Sequence, residues 1–148
     1  MHSGIADLAP WSQWAALSDA QAPKLRGVYL ARQGQAGPLV YVGMAGERSG
    51  KGIRGRLQVY TGKGLSSGLG EAAFDRALAD PAWLRLRLAE VDAGTPMRAR
   101  DWARAALARA DLYVCWSVTA DEAAAQGLET RVIQTIRASG EITLWNRA

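Results

Sequence analysis

Apolar and polar positions alternate with a period of two in two short runs early in the chain. Val28 and Leu30 alternate with Tyr29, and Val40 and Val42 with Tyr41, the pattern of two half-buried strands. Gln33-Gly34-Gln35-Ala36-Gly37-Pro38 between them is turn chemistry, with two glycines for positive φ and a proline excluded from strand interiors. The pattern predicts a β-hairpin carrying both tyrosines on one face. The period then becomes helical: Ile53, Leu57 and Tyr60 fall at i, i+4 and i+7. Arg56 lies on the rim of that face beside Tyr60, and Arg54 projects away from it, free for distant phosphates.

Upstream, Ile5, Leu8, Trp11, Trp14 and Leu17 recur every three residues, interrupted by Pro10. This predicts one or two short helical turns, with Trp11 and Trp14 as core rather than as base-stacking platforms. Downstream, residues 71–110 read as an all-helical insertion. Phe74, Ala77 and Leu78 mark a first helix. Asp80-Pro81 caps and opens a second, with Leu84, Leu88 and Val91 on one face and Gly94 at its end. The run Leu84-Arg85-Leu86-Arg87-Leu88 also alternates as a strand does. A third helix over 97–110 carries Trp102, Ala106 and Leu107, its arginines forming a solvated face. Leu112 to Val118 is rich in β-forming residues and predicts a third strand.

Thr119-Ala120-Asp121-Glu122 is a capping box opening a last helix. At 100° per residue, Leu128, Val132, Ala125, Ile136 and Ile133 fall within an arc of roughly 140°. Glu129 falls inside that arc. A carboxylate in an apolar stripe is costly unless a cation, a metal or several hydrogen bonds compensate it; a structural pairing with an arginine would do so, and so would a metal. After Gly140 the chain ends in a short extended tail whose Asn146 can tie it back to the core.

At 148 residues the chain is one domain by size and large enough to bury a core. An apolar content of 49%, with six tryptophans, excludes disorder. No apolar run approaches the ~20 residues of a membrane helix, and the N-terminal residues lack the pattern of a signal peptide. The single cysteine, Cys115, excludes an internal disulfide and a cysteine metal cluster, and inside the third strand it reads as inert core. The expectation is a soluble cytoplasmic protein with no membrane partner.

Charge sharpens this picture through its distribution. The net charge is +4, but residues 24–63 hold eight basic residues (Lys24, Arg26, Arg32, Arg48, Lys51, Arg54, Arg56 and Lys63) against one acidic residue, Glu47. The remainder has ten basic and thirteen acidic residues. Such clustering is what a phosphate-contacting surface requires. Two glycine-rich loops flank the arginine helix. Residues 44–52, with Arg48 and Lys51, fit a loop that moulds to a nucleic-acid backbone and fit a plain surface loop equally; the segment lacks the Gly-Lys-Ser/Thr ending of a phosphate loop. Residues 61–70, with Lys63, predict a mobile loop.

These residues together resemble the GIY-YIG nuclease family. Gly27-Val28-Tyr29 and Tyr41-Val42-Gly43 are similar to the two tripeptides that name it. Arg56 matches its helical arginine, with Tyr60 four residues on; Glu129 matches its metal-binding glutamate and Asn146 its late asparagine. All five elements occur in order across residues 27–146. Three features depart from the pattern: Met44 where many members carry a lysine or another polar residue, a longer linker to the arginine helix, and a larger 71–110 segment.

The resemblance implies an α/β (α+β) domain, a small three-stranded antiparallel sheet flanked by helices, in a family that includes repair, homing and restriction nucleases and stand-alone bacterial proteins. It implies a metal-dependent endonuclease hydrolysing DNA phosphodiesters, RNA being the other polymer, with one divalent cation, Mg²⁺ or Mn²⁺. Glu129 would hold the metal, and Arg56 would neutralise the transition state. Tyr29 would act as base, its pKa lowered by nearby cations, with Tyr41 and Tyr60 positioning water or phosphate. Gly43 would let backbone and metal-bound water approach closely, Gly27 completes the first tripeptide, and Asn146 would hold the tail near the Glu129 helix. Arg48, Lys51, Arg54 and Lys63 would bind the nucleic-acid backbone. Two alternatives remain: a catalytically silent nucleic-acid-binding module, and a domain whose insertion docks a protein partner. A monomer would nick, whereas a homodimer would cut both strands.

Overall fold

A strand that is apolar throughout needs a layer on each face, and the second hairpin strand, Leu39–Ala45, has both. The computed structural model describes residues 1–47, 49–62 and 68–147. Along the chain lie α1 (Ser3–Ala6), β1 (Ala15–Ala16), a 3-10 turn (Leu17–Asp19), β2 (Gly27–Gln33), β3 (Leu39–Ala45), α2 (Gly52–Thr61), α3 (Leu69–Leu78), α4 (Pro81–Asp92), α5 (Ala99–Ala110), β4 (Leu112–Val118) and α6 (Glu122–Ser139). The fold is α+β, with an open antiparallel sheet in the order β1-β4-β2-β3.

The sheet therefore has four strands rather than the three expected. The added strand is short, pairing Ala15 with Val114 and Ala16 with Tyr113. The Ser12 N–H donates to the Trp116 carbonyl (2.8 Å), and Ser12 Oγ accepts from the Trp116 N–H (3.0 Å). The helical stripe read over residues 5–18 survives only as α1 and the 3-10 turn. Pro10 cannot continue a helix, and the extended segment after it satisfies the outer backbone groups of β4 instead. Trp11 and Trp14 sit half-buried on the rim of the core. Trp11 Nε1 donates to the Ile5 carbonyl at 2.9 Å, and the Arg32 guanidinium lies 4.2 Å over the Trp14 ring.

The period-two pattern separates two apolar layers, both buried. On one face Tyr29, Ala31, Tyr41 and Val114 pack with Ile53, Leu57 and Tyr60 of α2 and Leu69 and Ala73 of α3. On the other, Val28, Leu30, Val42 and Cys115 pack with Ile5 and with Leu128, Val132 and Ile136 of α6. The strands are buried on both sides, not half-buried, because helices cover both faces. Val40 breaks the alternation and joins the tyrosine layer, because the register between β2 and β3 shifts next to it. In the hairpin turn only Gly34 has positive φ (+77°); Gly37 is required because a side chain there would collide with the Gln33 carbonyl.

The 71–110 segment is helical as expected. Trp83, Ala77 and Ala106 form a small core with Phe74 and Trp102, the rings edge to face at 6.3 and 5.7 Å. Asp80 Oδ1 accepts from the Ala82 N–H at 3.0 Å, with Pro81 in the first turn. The face of α4 is in part a correction: Leu84 packs on the small core as expected, but Leu88 and Val91 do not. Trp83 is its buried residue, while Leu88 and Val91 are 57% and 48% exposed and Leu86 is 61% exposed. Gly94 ends the helix at φ +77° as anticipated. At α6 the cap is Asp121, not Thr119: its Oδ1 accepts from the Ala124 N–H at 2.7 Å. Among the described residues no helix is long and apolar enough to cross a membrane.

Candidate functional site

The central strand sets the site. Tyr29 on β2 is fully buried and stands in register with Gly43 on β3. With no side chain at 43, the Tyr29 ring lies flat across β3; any Cβ there would collide with its ring and hydroxyl. The close approach at Gly43 is made by the Tyr29 phenol. Tyr41 joins the same layer, its ring 6.2 Å from that of Tyr29 and 25° from parallel. Gly27 serves the layer differently: a side chain would strike the Ser117 carbonyl and the Ile53 Cδ1, so glycine lets α2 seat against the sheet.

That seating delivers Tyr60 and Arg56, four residues and one helical turn apart. Tyr60 is fully buried, and its hydroxyl shares a 2.7 Å hydrogen bond with the Tyr29 hydroxyl. The Arg56 guanidinium carbon lies 5.7 Å from the Tyr60 ring centre, and Arg56 is half-buried. Gly68, just before α3, closes the group at φ +55° and ψ −121°, a conformation essentially restricted to glycine. A methyl there would fall 2.8 Å from Arg56 Nη2, 2.8 Å from Tyr41 Oη and 3.0 Å from Tyr60 Oη. These three polar atoms therefore converge on one point. Gly68 was not visible as a site residue, since in sequence it is one glycine among several in a loop.

The electrostatics of the group are those of phenols kept from water beside one cation. Burial is the largest cause holding Tyr29 well above its usual value; Tyr60 and Tyr41 add to it, and Arg56 offsets it only partly. Burial also raises Tyr41, with Tyr60 adding and Arg56 opposing. For Arg56 burial works against the charge, but its interactions with Tyr29, Tyr60 and Tyr41 outweigh that and raise its pKa. Of the cations expected to lower Tyr29, Arg56 does act in that direction but is outweighed by burial.

Glu129 comes from α6, on the opposite layer, and is half-buried. Burial raises its pKa, and Arg56 draws it back by a smaller amount; its charge is also felt at Tyr41. The fold thus brings Glu129 into the electrostatic neighbourhood of Arg56 and Tyr41. Among the described residues it makes no ion pair or side-chain hydrogen bond, which leaves its oxygens open to a cation. No group of three or more His, Cys, Asp or Glu side chains that could hold a metal occurs among the described residues. A single carboxylate completed by water and substrate phosphate is nevertheless a recognised way of holding Mg²⁺, so Glu129 fits a cation of that kind.

Asn146 ties the tail to a strand. Its Oδ1 accepts from the Val42 N–H (3.0 Å), and its Nδ2 donates to the Val42 carbonyl (2.6 Å). The Trp145 N–H donates to the Val40 carbonyl (2.6 Å). The tail thus covers the open edge of β3, while Ile142 and Leu144 reach the α6 layer.

The basic cluster is partly dispersed. Arg54 is partly engaged within the protein: its Nε donates to the Ala22 carbonyl at 2.7 Å. Arg26 faces Glu47 at 3.7 Å, and Arg32 is committed to Trp14 and the Gln35 carbonyl. Lys51 is exposed. Arg48 and Lys63 lie outside the described residues.

Comparison of the chain with protein-family models, curated proteins and solved structures finds no match.

Proposed function

We propose that this protein is a metal-dependent endonuclease hydrolysing DNA phosphodiester bonds, of the kind the resemblance to GIY-YIG nucleases implies. One observation carries the reading: Arg56 Nη2 and the Tyr41 and Tyr60 hydroxyls converge on one point, with the Glu129 carboxylate within electrostatic reach of Arg56. A guanidinium with two hydroxyls is a donor set for a phosphoryl group. An open carboxylate beside it has no use to a site that only binds phosphate.

In this reading Arg56 docks the scissile phosphoryl oxygens and balances the charge that grows on them. Tyr41 donates to the same oxygens or holds the attacking water, and the fully buried Tyr60, bonded to Tyr29, supports that arrangement. Tyr29, kept protonated by burial, orients the Tyr60 hydroxyl through their 2.7 Å contact and is a positioning residue rather than a base. Glu129 would hold a Mg²⁺ or Mn²⁺ ion, which when bound supplies Lewis-acid stabilisation of the phosphate and leaving oxygen. Specificity comes from the loops around residues 44–52 and 61–70 or from a partner.

A second reading is favoured by the tyrosines themselves. With Tyr29 and Tyr41 both raised, neither is a ready base, which suits a catalytically silent nucleic-acid-binding module. Supercoiled plasmid with Mg²⁺ or Mn²⁺ separates the two. Nicking by the wild type should fall by roughly 10²–10³-fold in Arg56→Ala and be lost in Glu129→Ala, whose DNA binding remains. Binding without nicking under either metal supports the silent module, and neither activity overturns both readings.

A further inference from the structure

A cavity of about 310 Å³ opens beside the tyrosine–arginine group, between α3 and the C-terminal tail. Tyr41 and Gly68 line both the cavity and the point where the hydroxyls meet Arg56. Its wall includes Trp145, with the Arg76 guanidinium 4.4 Å over the indole ring. Both partners are anchored. Arg76 Nη1 donates to the Ala72 carbonyl at 3.0 Å, and the Trp145 backbone is bonded to Val40. Glu71 and Asp75, one turn apart on α3, also line the cavity. Glu71 is engaged by the exposed Arg147 at 2.6 Å, whereas Asp75 has no ion pair among the described residues.

These groups define a ligand chemistry. Two guanidiniums also line the cavity, but Arg147 is paired with Glu71 and Arg76 lies over Trp145. Asp75 is thus the charge left without an ion pair or a ring partner among the described residues, and a second phosphate is disfavoured. A flat cation–aromatic layer with carboxylate acceptors suits a planar, uncharged ring bearing N–H donors. The volume lies in the range of small-molecule pockets. Because Tyr41 and Gly68 border both places, a phosphate held at Arg56 and Tyr41 would lie next to this cavity.

We propose that the cavity receives an unpaired nucleobase adjoining the phosphate held by Arg56, the Arg76–Trp145 layer stacking on it and Asp75 and Glu71 accepting from its exocyclic amino group. The inference rests on the nucleic-acid reading above and adds a preference to it. Amino-bearing bases are favoured over thymine, as carboxylates accept from cytosine N4.

The test is equilibrium binding of single-stranded oligo-dC and oligo-dT decamers in buffer free of divalent metal, with plasmid nicking measured beside it. The wild type should bind oligo-dC several-fold more tightly. The isosteric double variant Glu71→Gln/Asp75→Asn, which also removes the exposed Glu71–Arg147 ion pair, should equalise the two, whereas Arg147→Gln alone should leave the preference in place. Trp145→Ala should weaken both by roughly tenfold, and Arg56→Ala should weaken both without changing their ratio. Equal wild-type affinities, or a preference that survives the double variant, overturn the proposal even where Arg56→Ala still weakens binding. Failure to bind either decamer, with nicking intact, overturns the pocket alone; failure of both overturns the nuclease reading as well.

Discussion

Glu129 shows at the scale of one residue how the site trades stability for chemistry. Burial is the main cause raising its pKa, with Arg56 opposing. A carboxyl whose folded pKa exceeds its unfolded one contributes stability below the unfolded value, and that contribution is lost as pH rises through the folded value. At pH 7 the ionised side chain therefore costs stability while being the form a cation needs. Glu129→Gln should melt at or above the wild-type temperature at pH 7 while losing metal-dependent nicking; a lower Tm would refute this. Wild-type nicking should fall on acidification at a pH above the ordinary glutamate value of ~4.3, as a pH–rate profile would show. Gly68 makes the complementary case. Gly68→Ala meets ~1–3 kcal/mol of backbone strain and a methyl thrust among Arg56, Tyr41 and Tyr60. Thermal melts should fall by roughly 3–10 °C, and nicking should fall with them.

Elements explain why the tail matters. β3 is an edge strand, and an edge offers unpaired backbone groups as a template for other chains. Asn146 occupies both groups of Val42, and Trp145 takes the Val40 carbonyl, so a side chain and a backbone amide finish the sheet. Asn146→Ala leaves both Val42 groups unpaired beside the tyrosine layer. The expected cost is about 1–3 kcal/mol, with faster hydrogen exchange at the Val42 amide than at Leu30, which pairs within the sheet. An unchanged Val42 exchange rate would mean the tail is not the partner that protects it. In α4 the apolar stripe has the opposite fate: Trp83 and Leu84 meet the small core shared with α3 and α5, while Leu88 and Val91 face outward.

Across the whole molecule the clustered positive charge divides into different tasks. Arg54 braces the connector before β2 through the Ala22 carbonyl, Arg56 serves the site, and Lys51 faces solvent. Neutralising a phosphate-contacting side chain lowers the slope of log affinity against log salt by about one. Lys51→Ala should therefore flatten the salt dependence of DNA binding by about one with Tm unchanged. Arg54→Ala should lower Tm by a few degrees and leave the slope alone. Titrations at several salt concentrations beside thermal melts distinguish the two, and a reversed pattern would assign the arginine to the phosphates.

Much of the fold was legible from local pattern. The hairpin, the arginine helix, the three-helix segment, the strand at 112–118 and the last helix follow from periodicity, caps and turn residues, which depend on near neighbours in the chain. The same pattern placed Tyr29 and Tyr41 on one face and Tyr60 beside Arg56. Tertiary structure decided what depends on distant partners. β1 exists because the extended segment after Pro10 finds the free side of β4, and Leu88 and Val91 are exposed because other side chains filled the core first. Arg54 Nε is bonded to a carbonyl thirty-two residues before it in sequence. Gly68 closes the hydroxyl cluster only because α3 starts there, and Tyr29 is held protonated because helices bury both faces of its strand. Periodicity reports which side of an element is apolar; only packing decides how deeply that side is buried, and burial together with neighbouring charges shifts Tyr29, Tyr41, Arg56 and Glu129.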